Sequence, residues 1–227
     1  MINSKYFFLL IFAGHFFFAS AQDEEEKTDG RAMINLGAGY TDFGNLNDVL
    51  EANAYPALDN MGWDWGISLW LSDERLNFIY DFGTHSRKAE GVNTTNYDAG
   101  EFAISFGYSL VKREHLSIVP YLGLGFEYGR LELIQKEDPN VNTVSGYIAD
   151  TPRSQDMDMW GLLGSMGVYA LWDFSSKSDK SNFTLGLHGG YTPRLMKQQW
   201  KSAGGEKLDG ISVPGGVSAN LVFGVAL

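Results

Sequence analysis

The chain contains no cysteine, so neither disulfides nor thiolate chemistry contributes to it. Its 227 residues include four histidines, which leaves few candidates for general-base or metal-ligand work. Basic residues are also scarce: 17 Lys and Arg stand against 28 Asp and Glu, for a formal net charge of −11. A nucleic-acid partner is not expected, because a phosphate backbone asks for a basic surface. After the first stretch of the chain, no apolar run reaches the ~18 residues of a membrane-crossing helix.

That first stretch reads as a secretory leader. Lys5 is followed by the apolar run Tyr6–Ala13 and then Phe16–Ala21, and Ala19-Ser20-Ala21 forms an A-x-A cleavage site. Gly14 and His15 break the run, which is too short for an anchor helix. Residues 1–21 are therefore expected to be a signal peptide. Residues 22–31, with Asp23, Glu24, Glu25, Glu26 and Asp29, read as an acidic disordered tail. Residues 32–227 are expected to form one folded domain.

Within that domain the dominant pattern has period two. The last eleven residues, Val217 to Leu227, place Val217, Ala219, Leu221, Phe223, Val225 and Leu227 on one face. Seven earlier segments behave alike: Ala32–Tyr40, Trp63–Leu71, Arg75–Gly83, Glu101–Leu110, Ile118–Gly129, Met159–Trp172 and Phe183–Tyr191. On all eight the large apolar face carries no charge. The opposite face is small and polar, with Asn35, Asp64, Ser68, Asp81, Glu101, Glu127, His188 and Asn220 among many glycines. A soluble barrel would carry its charges outside. Apolar outside and polar inside is the pattern of a barrel in lipid.

The connections alternate in length. Ser72–Glu74, Val111–His115 and Asp173–Asn182 are short, whereas Thr41–Gly62, Thr84–Gly100, Leu131–Asp158 and Thr192–Gly216 are long. Short periplasmic turns and long outer loops give this alternation when both termini lie in the periplasm. Tyr40, Trp63, Phe82, Phe102, Tyr128, Trp160 and Tyr191 gather at the loop ends of the strands, and Trp172 and Phe183 at the turn ends. These are two interfacial girdles. The fold class expected is all-β: a membrane-spanning, antiparallel, up-and-down β-barrel of eight strands.

On these residues the chain resembles the small eight-stranded bacterial outer-membrane β-barrels of the OmpA and OmpX type. The resemblance is architectural and rests on the eight alternating strands and the terminal closing strand. Leu227 stands where such barrels end on Phe or Trp. It implies integral residence in the outer membrane of a Gram-negative bacterium, with outer-membrane lipid and lipopolysaccharide as neighbours and other outer-membrane proteins as partners.

Function is less legible. Asp64, Asp81, Glu101 and Glu127 point inward on consecutive strands toward the loop end, with His188 opposite and Arg194 just above. Eight strands enclose room for side chains only, and ionisable groups there must be paired or hydrated. These six residues are therefore read as an internal polar plug, in preference to a cation site, because no metal-loop spacing is present. His85 and Ser86 are adjacent but point to opposite faces of an extended chain, so they do not form a nucleophile and base. Asn45 is expected to cap a short helix carrying Leu46, Val49 and Leu50, and Val141–Ile148 to form a hairpin. Lys197, Lys201 and Lys207 would face anionic lipopolysaccharide. No cofactor is expected. The reading is a non-enzymatic structural or interaction protein, an accessory subunit of an outer-membrane assembly being one form of it. A lipid A or phospholipid-modifying enzyme is the alternative, and a narrow pore the third.

Overall fold

A computed structural model describes residues 29–113, 115–135, 154–175, 182–208 and 211–227. Its strands are β1 (Asp29–Thr41), β2 (Met61–Asp73), β3 (Leu76–Glu90), β4 (Thr94–Tyr108), β5 (Val111–Arg113), β6 (Leu116–Ile134), β7 (Ser154–Ser175), β8 (Asn182–Thr192), β9 (Gln199–Ser202), β10 (Lys207–Leu208) and β11 (Gly216–Ala226). A helix, α1 (Gly44–Ala52), lies between β1 and β2. Eight strands close a ring in the order β1-β2-β3-β4-β6-β7-β8-β11, with β11 returning to β1. All pairings are antiparallel, and Leu36 sits between Leu221 and Trp65 where the ring closes. Closure leaves neither β1 nor β11 with a free edge. Among the described residues no helix is long and apolar enough to cross a membrane.

The alternation places side chains as the pattern requires. Ile34, Trp65, Phe78, Phe106, Leu124, Leu162, Leu187 and Phe223 stand outside and exposed, and Trp63 is 82% exposed. Such a belt of uncovered apolar surface is stable when lipid covers it. Beyond Phe82, Phe102, Tyr128 and Trp160 the outward positions turn polar: Ser86 and Lys88 on β3, Asp98 and Asn96 on β4, Arg130 and Glu132 on β6, Asp158 and Asp156 on β7. The hydrogen-bonded ladder continues past this border. A strand of about 9–11 residues spans the bilayer. The 15, 15, 19 and 22 residues of β3, β4, β6 and β7 therefore form a wall rising above it.

This wall corrects the expected loops. Thr84–Gly100 is a continuation of β3 and β4, joined by a tight turn in which Gly91 N–H donates to the Asn93 carbonyl at 2.8 Å. Leu131–Ile134 and Ser154–Asp158 are likewise strand. Outside lipid the outward face no longer needs apolar residues, so the alternation fades while the backbone pairing persists. Val111–Arg113 folds back on Leu116–Ile118. β1 starts three residues earlier than expected, so Asp29, Gly30 and Arg31 pair with β2. Residues 1–28 and Val141–Ile148 lie outside the described residues.

Two apolar clusters fill the interior. The lower one, at the level of the lipid belt, contains Met33, Trp70, Ile79, Val119, Tyr121, Tyr169, Leu171 and Val222. The upper one lies within the raised wall: Tyr97, Leu131, Leu133 and Met159 from the strands meet Phe43, Leu46 and Leu50 from α1 and Trp200 and Val213 from the last connection. The interior is thus more apolar than the small, polar inward face suggests. The helix forms as expected, but Asn45 does not cap it. Phe43 holds the N-cap position without a side-chain cap bond, and Asn45 lies inside the first turn. Asn47 fixes the connection instead, donating to the Leu58 carbonyl at 2.9 Å and accepting from Leu58 N–H at 2.8 Å.

Candidate functional site in the barrel lumen

Between the two apolar clusters lies a polar layer, and adjacent glycines make room for it. Asp64 on β2 lies over Gly39 of β1, Arg87 on β3 over Gly62 of β2, and Glu101 on β4 over Gly83 of β3. A β-carbon at any of these glycines would occupy the space of the neighbouring polar side chain. Strand alternation aims the charges inward, and the glycine beside each lets it lie flat against the wall.

The four acids have different partners. Glu127 is 1% exposed and carries the densest set of contacts. Arg194 Nη2 donates to its Oε1 at 2.5 Å and Nε to its Oε2 at 2.8 Å. Gln198 Nε2 donates to Oε2 at 3.3 Å, and the Tyr97 hydroxyl to Oε1 at 3.4 Å. His85 Nε2 stands 3.7 Å from Oε1. Asp64 belongs to a second pair, with both Arg87 Nη atoms 3.2 Å from Oδ1. Arg87 Nη2 also donates to the Gly39 carbonyl at 3.3 Å. Of the two pairs, Arg194–Glu127 is the two-oxygen fork that makes the strong form of ion pair.

Asp81 sits with the hydroxyls of the lower cluster. Ser68 Oγ donates to its Oδ1 at 2.5 Å and Tyr169 at 3.1 Å, while Asn35 Nδ2 donates to Ser68 Oγ at 2.5 Å. His188 stacks on Tyr169 with centroids 4.2 Å apart and planes at 18°. Asn220 Nδ2 donates to His188 Nδ1 at 3.0 Å. In that arrangement the imidazole proton is on Nε2, which faces the Tyr121 hydroxyl at 2.7 Å. Glu101 is opposite Glu127 in the β4–β6 register and has no ion pair among the described residues. Asp64, Asp81, Glu101 and His188 border one cavity of about 70 Å³, with Asn35 and Asn220.

No protein-family model matches the chain, and no curated protein matches its sequence. Solved structures do match its shape. The crystal structure of a major outer membrane protein from Thermus thermophilus has a TM-score of 0.54 and 12% identity, over 87% of this chain and 99% of that one. The chain has the fold of the small outer-membrane β-barrels. Ail, the attachment invasion locus protein of Yersinia pestis, is also similar, with a TM-score of 0.43 and 11% identity over 88% of this chain and 99% of its own. Neisserial surface protein A has a TM-score of 0.40 and 14% identity over 87% of this chain and 96% of its own. At these identities the likeness concerns the barrel fold.

Within the barrel the structure brings Glu127 together with Arg194, and Asp64, Asp81, Glu101 and His188 around the cavity. It adds Arg87, Gln198 and Tyr97, which sequence reasoning passed over, and His85, which it weighed only as a base beside Ser86. Three of these fall in Thr84–Gly100, read as a loop. The signal was present: Gly83, His85 and Arg87 keep the inward parity of Asp81. Gln198 lies in the last connection, where no periodicity marks it.

Proposed function

We propose that this chain is a closed, non-enzymatic outer-membrane barrel with a structural or interaction role. One observation carries the reading: the lumen is occupied along its height by the lower apolar cluster, the ion-paired polar layer and the upper apolar cluster. A conducting path would need continuous polar, hydrated space, and two apolar clusters interrupt it. The raised wall of β3, β4, β6 and β7 and the cap formed by α1 and the last connection are then the surfaces offered to partners, to lipopolysaccharide, or to a larger outer-membrane assembly. In this reading the wall faces outward from the cell and both termini face the periplasm. The test is reconstitution into planar bilayers at neutral pH. The expected record shows no stepwise current, and reproducible single-channel steps that scale with protein added would refute the closed barrel.

A further inference from the structure

The charges of the polar layer do not balance. Four carboxylates, Asp64, Asp81, Glu101 and Glu127, face two guanidinium groups, and both guanidinium groups are committed, Arg87 to Asp64 and Arg194 to Glu127. Asp81 has only hydroxyl donors, and Glu101 lies beside Glu127 without a base of its own. A second observation is independent of the acids. Asn35 is 7% exposed, and its Oδ1 is buried without a hydrogen-bond donor while its Nδ2 is spent on Ser68. Asn220 Oδ1 is in the same state, with its Nδ2 on His188. All four of these residues border the cavity of about 70 Å³. What they leave unsatisfied is acceptor capacity and negative charge, and one class of ligand answers both: a cation that arrives with donor water.

We propose that this cavity is a binding site for a hydrated divalent metal ion of the Mg²⁺ type, held by Asp81 and Glu101 and reached by Asn35 and Asn220 through metal-bound water. The cavity has the right size, since one water needs about 10–15 Å³ and several therefore fit. The donor arrangement selects the hydrated form. Among the described residues no three His, Asp or Glu side chains converge closely enough to ligate a metal directly. Mg²⁺ keeps several waters and takes one or two carboxylates, whereas Ca²⁺ asks for six to eight oxygen ligands. A charge of +2 matches the two carboxylates that lack a base. The polar plug and the ion are then one structure: the ion completes the neutralisation that the two arginines begin. The proposal does not depend on the protein's partners, because the site lies inside the wall.

The experiment uses the full mature chain, refolded in detergent and stripped with a chelator. Thermal unfolding is followed while MgCl₂ is raised at constant ionic strength. The expected result is a rise in Tm that becomes linear in log[Mg²⁺] above Kd, of about 5 °C or more by 100 times Kd, by binding linkage. The double variant Asp81→Asn, Glu101→Gln should lose that rise. An equal rise in the double variant would place the ion on the outer surface and overturn the proposal, as would no rise in the wild type. A second measurement covers a variant that does not fold. With wild-type protein and substoichiometric Mn²⁺, the imidazole NMR signals of His188 should broaden before those of His115, which lies at the turn end. Broadening of His115 first, or of neither, would also overturn it.

Discussion

Arg194 reaches down from the last connection and meets both carboxylate oxygens of Glu127 on β6, 2.5 and 2.8 Å away. The two residues are 67 positions apart in sequence, and each side chain is almost fully buried. Arg194 makes a backbone bridge to Leu163 on β7, and its side chain ties the connection between β8 and β11 to the neighbouring strand β6. Gln198 extends the tie, because its Oε1 accepts Val213 N–H at 2.8 Å while its Nε2 serves Glu127. Removing Arg194 would leave a carboxylate buried without a counter-charge. Arg194→Ala should therefore destabilise the barrel by about 3–5 kcal/mol, measured by urea or thermal unfolding in detergent. Limited proteolysis should also cut the 193–208 segment sooner. In a double-mutant cycle with Glu127→Gln, the second change should restore part of the loss, and strict additivity would show that the pair is not coupled.

Two glycines make a sharper test of the wall. Gly37 faces inward on β1, and a β-carbon there would run into the backbone of Ala219 and Asn220 on β11. Gly189 faces outward on β8 with nothing within 4 Å of that position. Gly37→Ala should lower stability by about 1–3 kcal/mol, because the strand that closes the ring must move. Gly189→Ala should be neutral within error. The comparison is read from midpoints of thermal unfolding in the same detergent, and equal midpoints for both variants would show that the ring has slack at its closing seam.

The contrast also shows what the sequence carries and what it hides. Period-two alternation, repeated eight times, fixes which side chains face lipid, and every outward register agrees with the observed strands. It also places Asp64, Asp81, Glu101, Glu127 and His188 inside. It cannot say what crosses from the next strand, because that depends on register between strands. So Gly125, inward on β6 and by alternation alone a position open to a small side chain, is packed against the backbone of Phe102 and Ala103. Apolar periodicity also stops reporting strands where lipid stops, which hid the upper halves of β3, β4, β6 and β7 and with them Arg87. Arg194 was visible beside the plug, but its choice of Glu127 over the other acids is set by how the last connection folds over the mouth.

The border of the lipid belt can be located by adding one positive charge at two outward positions. Leu124 on β6 is 67% exposed and lies between Leu122 and Phe126 on the outer face. Ser86 on β3 is also exposed, but it follows Phe82 and Thr84 into the raised wall. Burial from the rest of the protein is slight at both sites, so any difference reports the surroundings. Leu124→Arg should cost about 2–4 kcal/mol in a bilayer, and Ser86→Arg almost nothing. Folding titrations into lipid vesicles measure both. An equal cost would mean that the belt extends up the wall.

The cap rests on apolar contact. Leu46 and Leu50 are the buried residues of α1, and they pack with Phe43, Tyr97 and Trp200 in the upper cluster. The helix has no side-chain bond from its N-cap residue and no acidic residue in its first turn; Asn60 and Asp42 accept Phe43 N–H and Gly44 N–H, and the Asn47–Leu58 bonds and the apolar packing add to these. Leu50→Ala should cost about 2–5 kcal/mol in the cap. Because the lower cluster and the lipid belt do not involve Leu50, insertion into the membrane should proceed normally. Hydrogen exchange should show the loss as faster opening of residues 44–58 with unchanged protection in β6 and β7 below Phe126. Uniform loss of protection throughout the barrel would mean that the cap and the wall unfold as one unit.

Orientation is tested by chemistry on whole cells. Ala203 lies exposed in the turn between β9 and β10 at the capped end, and Arg113, the last residue of β5, is exposed at the opposite end. The wild-type chain has no cysteine, so a single introduced thiol is the only one that can react. Ala203→Cys should be labelled by a membrane-impermeant maleimide on intact cells. Arg113→Cys should be labelled only after the outer membrane is permeabilised. The expectation rests on the long strands: β3, β4, β6 and β7 all extend past the lipid belt at the capped end, and in outer-membrane barrels the longer connections face the outside. Labelling of Arg113→Cys on intact cells, with protection of Ala203→Cys, would reverse the barrel and place its cap in the periplasm.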